Sequence, residues 1–132
     1  MATLRETLHL RAAAASVWDA VRDVGQLHRR LVPGFVTEAH LEQGARVITF
    51  ANGTTAREEI VSVDDGLRRL AYAIPRGSFL HYQGTVDVED DGAGSRLVWT
   101  VDLLPDERAE NVRDLMRQGA AVMRATLDGA SA

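Results

Sequence analysis

The stretch PDERAENVRDLMRQGAAVMRATL, residues 105–127, decides the fold of this chain of 132 residues. One set of its residues recurs at intervals of three and four, which is the spacing of one face of an amphipathic helix. This set is Val112, Leu115, Met116, Gly119, Val122, Met123, Thr126 and Leu127. The sequence from about residue 35 up to this helix indicates strands and tight turns, so the helix is predicted to lie across a sheet. A hollow between a curved sheet and such a helix favours ligand capture or small-molecule chemistry.

Segments of alternating polarity, separated by turn-forming residues such as Asn52-Gly53, predict seven strands before the long helix. They cover residues 3–10, 35–41, 47–51, 55–63, 67–74, 81–89 and 96–104. After the first strand the period becomes helical from Ala12 to the stop at Gly25, and a second short helix is predicted over residues 26–31. The predicted class is therefore α+β, with two short helices after strand 1 and one long helix at the end.

The strand alternation also predicts which side chains face the long helix. Tyr72, Tyr82 and Trp99 fall on the inward side of neighbouring strands, where their polar ends could meet a ligand oxygen. Ile60 and Val61 are adjacent and both apolar, so the alternation leaves open whether Glu58 or Glu59 points into the interior.

Composition excludes several classes of function. The length and the 45% of apolar residues suit one domain, residues 1–132, with a real core. The net charge of −4 comes from 15 basic residues dispersed among 19 acidic ones, so no nucleic-acid partner is predicted. The chain contains no cysteine, which excludes disulfides, thiolate nucleophiles and Cys-ligated zinc. No secretory signal and no apolar segment of ~20 residues is present, so we predict a cytoplasmic protein without a membrane span.

Groups that could move protons are few. The histidines His9, His28, His40 and His81 lack metal-ligand spacing, and no phosphate loop or dinucleotide fingerprint is present, so neither metal nor cofactor is predicted. His81 opens a strand beside Tyr82 and is the best histidine for proton transfer. A buried Glu58 could act as a general acid or base. In the alternative interpretation Glu58 is solvated and pairs at the sheet surface with Arg57, Arg69 or Arg76.

Several motifs resemble those of one family. The stretches SVWDAVRD (residues 16–23) and LHRRLVPG (27–34) resemble the N-terminal motif of the bacterial polyketide cyclase/dehydrase and lipid-transport proteins of the START/Bet v 1-like (SRPBCC) superfamily. Its successive strand signatures are similar to REEI (57–60), RLAY (69–72), YQGT (82–85) and LVWT (97–100). The resemblance covers almost the whole chain. It implies the helix-grip fold, in which a seven-stranded antiparallel sheet wraps round a long C-terminal helix and leaves an elongated cavity.

Three classes of function stay open, and a homodimer is compatible with each. We favour the binding or transport of a small hydrophobic or amphipathic molecule. The predicted ligand-binding residues are Tyr72, Tyr82, Trp99, Leu115, Met116, Gly119 and Met123; Gly119 is included because a mid-helix glycine suggests close approach. The second class is a cofactor-independent cyclase or dehydratase, with Glu58 and His81 as candidate catalytic residues. The third is an interaction module whose partner contacts Trp18, Val32, Pro33 or Phe35.

Overall fold

A computed structural model of the chain describes residues 1–75, 77 and 79–129. Within these residues seven strands form one antiparallel sheet in the order β1-β7-β6-β5-β4-β3-β2. The strands are β1 (Ala2–Leu10), β2 (Val36–Glu42), β3 (Ala45–Phe50), β4 (Thr55–Asp64), β5 (Arg69–Ala73), β6 (His81–Asp91) and β7 (Gly94–Leu104). The helices are α1 (Ala14–Arg22), α2 (Leu27–Arg30) and the long α3 (Ala109–Asp128). The predicted α+β helix-grip fold is confirmed.

The element boundaries differ from the predicted ones by a few residues. Strand β3 starts at Ala45, two residues earlier than predicted, while β5 starts at Arg69, two residues later. The later start follows from the turn before β5, where the Asp64 carboxylate accepts the Leu67 backbone N–H and Arg68 has a positive φ. The long helix begins at Ala109 because Pro105 is extended and a 3-10 turn comes between them.

The buried face of α3 holds the helix against the sheet. It consists of Val112, Met116, Gly119, Ala120 and Met123. Leu115 lies at the edge of this face, with 38% of its surface exposed. Because β-sheet and helix each have one apolar side, the core forms where those two sides meet.

The residues proposed to contact a protein partner are partly in this core. Trp18 and Val32 are both buried, and the Trp18 indole Nε1–H donates to Asp65 Oδ1 at 2.9 Å. The prediction that they contact a partner is therefore wrong for these two, because Trp18 on α1 and Val32 after α2 both pack into the core. Phe35 is half-buried in the core and only Pro33 is exposed.

The C-terminal end of α3 is attached to the link between β1 and α1. Asp128 Oδ1 accepts the backbone N–H groups of Arg11 and Ala12 at 2.9 and 3.0 Å. Burial alone would raise the pKa of the Asp128 carboxyl, but the two N–H donors and the Arg11 guanidinium outweigh it and hold the pKa below its ordinary value. The carboxylate therefore stabilises the folded state only while it is ionised.

We expect Asp128→Ala to lower the free energy of unfolding by about 1–2 kcal/mol at pH 7, because two hydrogen bonds to a charged acceptor are lost. The folded pKa is below the unfolded one, so this contribution is complete above the ordinary pKa of about 4 and disappears as the pH falls through the folded pKa. Urea unfolding of both proteins at pH 7 and pH 3 measures the difference. The exposed Asp114 on the same helix gives the control, Asp114→Ala. A loss of equal size at both pH values would contradict this role of the charge.

Candidate functional site

A cavity of about 410 Å³ lies between the sheet and α3. Side chains from α1, α2, strands β2 to β7 and α3 line it, and most of them are aliphatic or aromatic. Small-molecule sites typically have volumes of about 300–1,000 Å³ and apolar walls with a few polar groups. This cavity therefore has the size and the chemistry of a small-molecule site.

The predicted ligand-binding residues lie at this cavity, with one exception. Those that line it are Tyr72, Tyr82, Trp99, Leu115, Met116 and Met123. Gly119 instead lies behind two rings, since a Cβ placed there would be 3.4 Å from Phe35 Cε2 and from Trp99 Cζ3. The close approach expected at Gly119 is thus made by the protein's own aromatic side chains, which in turn face the cavity. Whether these residues contact a ligand stays a prediction.

Strand β4 decides the question that alternation left open. Glu58 is buried and lines the cavity, whereas Glu59 is exposed. The pairing of β4 with β5 shifts between Ile60 and Ser62, which indicates a β-bulge. Ile60 packs against the core, whereas Val61 is 59% exposed, so the adjacent apolar pair marked a break in the alternation.

Glu58 forms a buried ion pair with Arg46. The two residues are directly opposite in the pairing of β3 with β4, and Arg46 Nε–H donates to Glu58 Oε1 at 2.7 Å. Their side chains are only 4% and 9% exposed. The burial of both charges is tolerable because each neutralises the other.

The predicted surface pairing of Glu58 is wrong. Arg57 pairs with Glu42 and Arg69 pairs with Asp87, both on the outer surface. Arg76, the third predicted partner, lies outside the described residues. The inward direction of Glu58 takes it away from these side chains and towards Arg46.

Two aromatic residues extend the ion pair into a connected group, called here the polar cluster and formed by Arg46, Glu58, Tyr72 and Trp99. The guanidinium carbon of Arg46 lies 5.2 Å from the centre of the Tyr72 ring, within the range of a cation–π contact. The Trp99 indole Nε1–H donates to Tyr72 Oη at 2.8 Å. Tyr82 lies beside the cluster, with its ring centre 6.5 Å from that of Tyr72.

The tyrosines of the cavity are held in their neutral form. Burial raises the pKa of Tyr72 far above its ordinary value, and the neighbouring Glu58 carboxylate raises it further. Burial likewise raises the pKa of Tyr82 well above 10, followed by the effects of Tyr72 and Glu58. At physiological pH both hydroxyl groups are therefore hydrogen-bond donors and acceptors rather than bases.

Gly84 makes room for the Tyr72 ring. It is the pairing partner of Tyr72 in the sheet, and a Cβ at this position would lie 2.5 Å from the Tyr72 hydroxyl oxygen and overlap the ring. Neither Gly84 nor Arg46 was predicted as a site residue. A glycine in the middle of a strand is itself a signal of close approach. Arg46 was missed because the predicted strand began one residue after it.

His81 lies apart from the other candidate catalytic residue. It precedes the inward-facing Tyr82, so its own side chain is directed to the other face of the sheet, and it is not among the residues that line the cavity.

Among the described residues, no group of three or more histidines and carboxylates is arranged to hold a metal ion. No helix in the described part of the chain has the length and apolar character that a membrane crossing needs.

Two glycine substitutions should have opposite effects. Gly84→Ala is expected to lower the free energy of unfolding by about 1–3 kcal/mol, because its methyl group must displace a buried and hydrogen-bonded ring. Gly119→Ala places a methyl group at an ordinary contact distance and should raise that free energy by about 0.5–1 kcal/mol through its helix propensity. Urea unfolding measures both. A tolerated Gly84→Ala would show that Tyr72 does not occupy this position firmly.

Comparison with known proteins gives one family. A family model described as "Polyketide cyclase / dehydrase and lipid transport" matches residues 1–131. A search of curated proteins finds no match.

Similar solved structures cover nearly the whole chain. One is the protein XoxI from Bacillus cereus, with a TM-score of 0.86 at 18% identity over 100% of this chain and 99% of that one. A protein from Thermobifida fusca has a TM-score of 0.79 at 27% identity over 98% and 93%. Norcoclaurine synthase from Thalictrum, in complex with a transition state analogue, has a TM-score of 0.69 at 16% identity over 99% and 96%.

Proposed function

Because the chain belongs to the polyketide cyclase / dehydrase and lipid transport family, we propose that it binds or transports a small hydrophobic or amphipathic molecule between the sheet and α3. The single observation that carries this proposal is the cavity of about 410 Å³ with apolar walls and one polar cluster. Apolar walls favour the transfer of ligand carbon atoms from water, and the polar cluster orients the ligand.

The free energies of these two kinds of contact indicate that the apolar walls and the polar cluster have different roles in binding. Each buried methylene contributes about 0.8 kcal/mol, whereas one hydrogen bond contributes about 0.5–1.5 kcal/mol net. A micromolar dissociation constant requires about 8 kcal/mol after the entropic cost of binding. Most of the affinity must therefore come from apolar contact, and the polar cluster distinguishes ligands that fill the cavity equally well.

The positions of the titratable groups favour binding over proton transfer. A general acid or base must lie within hydrogen-bond reach of the reacting group. Glu58 is held by Arg46, Tyr72 and Tyr82 stay protonated, and His81 does not line the cavity. The residues that line it thus offer hydrogen bonds and charge compensation.

A cofactor-independent cyclase or dehydratase is the second candidate. The observation that favours it is Glu58, a carboxylate that lines an apolar cavity next to Tyr72. The fold itself also accommodates catalysis, since norcoclaurine synthase shares it. In such an enzyme Glu58 would be the group that takes up or releases a proton.

A neutral fluorescent probe tests the cavity. We expect N-phenyl-1-naphthylamine to bind with a micromolar dissociation constant, and Met116→Trp to weaken this binding at least about tenfold by filling the space. Ala121→Trp, on the exposed face of the same helix, is the matched control and should leave binding unchanged. Fluorescence titration gives the constants, and native mass spectrometry of the purified protein detects a ligand retained from the cell. Equal probe binding by all three proteins would contradict the proposal.

Substitution of the two candidate catalytic residues separates binding from catalysis. If the protein only binds, Glu58→Gln should change the affinity for the neutral probe by about 0.5–1.5 kcal/mol, and His81→Gln should have no effect. Chromatography with mass detection should then show no conversion of a ligand recovered from the cell. In an enzyme, Glu58→Gln would reduce turnover by about 10²–10⁴ while the ligand still binds. Turnover that depends on Glu58 or His81 would establish the second candidate.

A further inference from the structure

We propose that the polar cluster selects ligands whose buried polar group is an uncharged carbonyl or hydroxyl, and discriminates against the corresponding carboxylates. This inference rests on the proposed function, because it concerns what the same cavity accepts.

The polar cluster has no net charge. The Arg46 guanidinium and the Glu58 carboxylate lie 2.7 Å apart and are both buried. Tyr72 and Trp99 carry no charge in the form described above. A lone buried arginine would attract an anion strongly, but here Glu58 already supplies the compensating negative charge.

The polar cluster nevertheless has unused hydrogen-bonding capacity. Arg46 donates through Nε to Glu58 and through Nη1 to the Val24 carbonyl oxygen, and within the described residues its Nη2 has no hydrogen-bond partner. Glu58 Oε2 likewise has none in that part of the chain. Because the Trp99 indole is a donor only, Tyr72 Oη accepts the bond from Trp99. The Tyr82 hydroxyl is a second donor to Tyr72 Oη, since their interaction acts to lower the pKa of Tyr72 and to raise that of Tyr82. Neither neighbour therefore uses the Tyr72 hydroxyl hydrogen.

This capacity fits an uncharged oxygen. A carbonyl oxygen accepts from Arg46 Nη2 or from the Tyr72 hydroxyl, and a ligand hydroxyl can in addition donate to Glu58 Oε2. A carboxylate can accept the same hydrogen bonds. It adds a third charge next to Glu58, however, and leaves the buried group with a net negative charge in a medium of low dielectric.

Among the described residues, Arg108 is a second cation that lines the cavity. Arg108 belongs to the 3-10 turn before α3, and its guanidinium carbon lies 4.8 Å from the centre of the Phe79 ring. A carboxylate bound by Arg108 would not depend on Glu58. The experiment therefore includes this residue.

The test uses two probes of nearly equal shape. 2-Acetylnaphthalene carries a methyl group on its carbonyl carbon, and 2-naphthoate carries an ionised oxygen at the same place. Isothermal titration calorimetry at pH 7 gives the ratio of their dissociation constants. We expect wild-type protein to bind the ketone at least about tenfold more tightly. Because any apolar cavity disfavours an ion, the decisive quantity is the change in this ratio on Glu58→Gln, which leaves Arg46 uncompensated. The ratio should shift at least about tenfold towards the carboxylate, and the exposed neighbour gives the matched control, Glu59→Gln, with no shift.

The outcomes separate this inference from the proposed function. If the ketone binds but the ratio is unchanged in a folded Glu58→Gln protein, the selectivity is overturned and the binding function stands. Tighter binding of the carboxylate by wild-type protein, abolished by Arg108→Gln, would also overturn the selectivity. If wild-type protein binds neither these probes nor N-phenyl-1-naphthylamine, both proposals fail.

A second variant covers the case in which Glu58→Gln does not fold, as judged by circular dichroism. The double substitution Arg46→Met with Glu58→Met replaces the ion pair by apolar side chains, a change that buried pairs often tolerate. Wild-type protein should bind 2-acetylnaphthalene more tightly than 2-ethylnaphthalene, and the double variant should lose this preference. A preference that persists in the double variant would overturn the inference.

Discussion

Burial of one face of α3 against the inner side of the sheet is the contact on which the rest of the molecule depends. At Gly119 the rings of Phe35 and Trp99 lie against the helix, since a Cβ placed there would be 3.4 Å from each ring. Asp128 fixes the far end of the same helix to the start of α1. Because the helix is held at these points, the space between it and the strands is preserved as a cavity and does not collapse.

The ion pair between Arg46 and Glu58 contributes little to this framework. Two charges removed from water lose their hydration, and an apolar pair of similar volume is often as stabilising or more so. The presence of this ion pair in the wall of an apolar cavity is therefore better explained by the ligand proposed for the cavity than by a contribution to folding. Burial of the Tyr72 hydroxyl also removes a polar group from water, and the hydrogen bond from the Trp99 indole N–H compensates for part of that cost.

The sequence predicted the fold well and the polar cluster only in part. Strands, turns and the helical face are determined by local alternation and by turn residues such as Asn52-Gly53, and each can be recognised within a short window. The partner of Glu58 depends on the register of β3 against β4, which no local pattern contains. The bulge beyond Ile60 hid the direction of Glu58 for a similar reason, since an extra residue reverses the alternation. His81 lies apart from Glu58 because it directly precedes Tyr82 in β6. Neighbouring residues of a strand point to opposite faces of the sheet, and Tyr82 points inward.

Because of the contact between Tyr72 and Gly84, the substitutions that position 84 tolerates depend on the residue at position 72. The ring of Tyr72 uses the volume that any side chain at position 84 would need, so position 84 cannot accept a larger residue while the ring stays in place. A larger residue at position 84 on β6 becomes acceptable only after Tyr72 on β5 has been replaced by a smaller residue. A sequence that keeps the tyrosine in this orientation therefore requires the glycine as well.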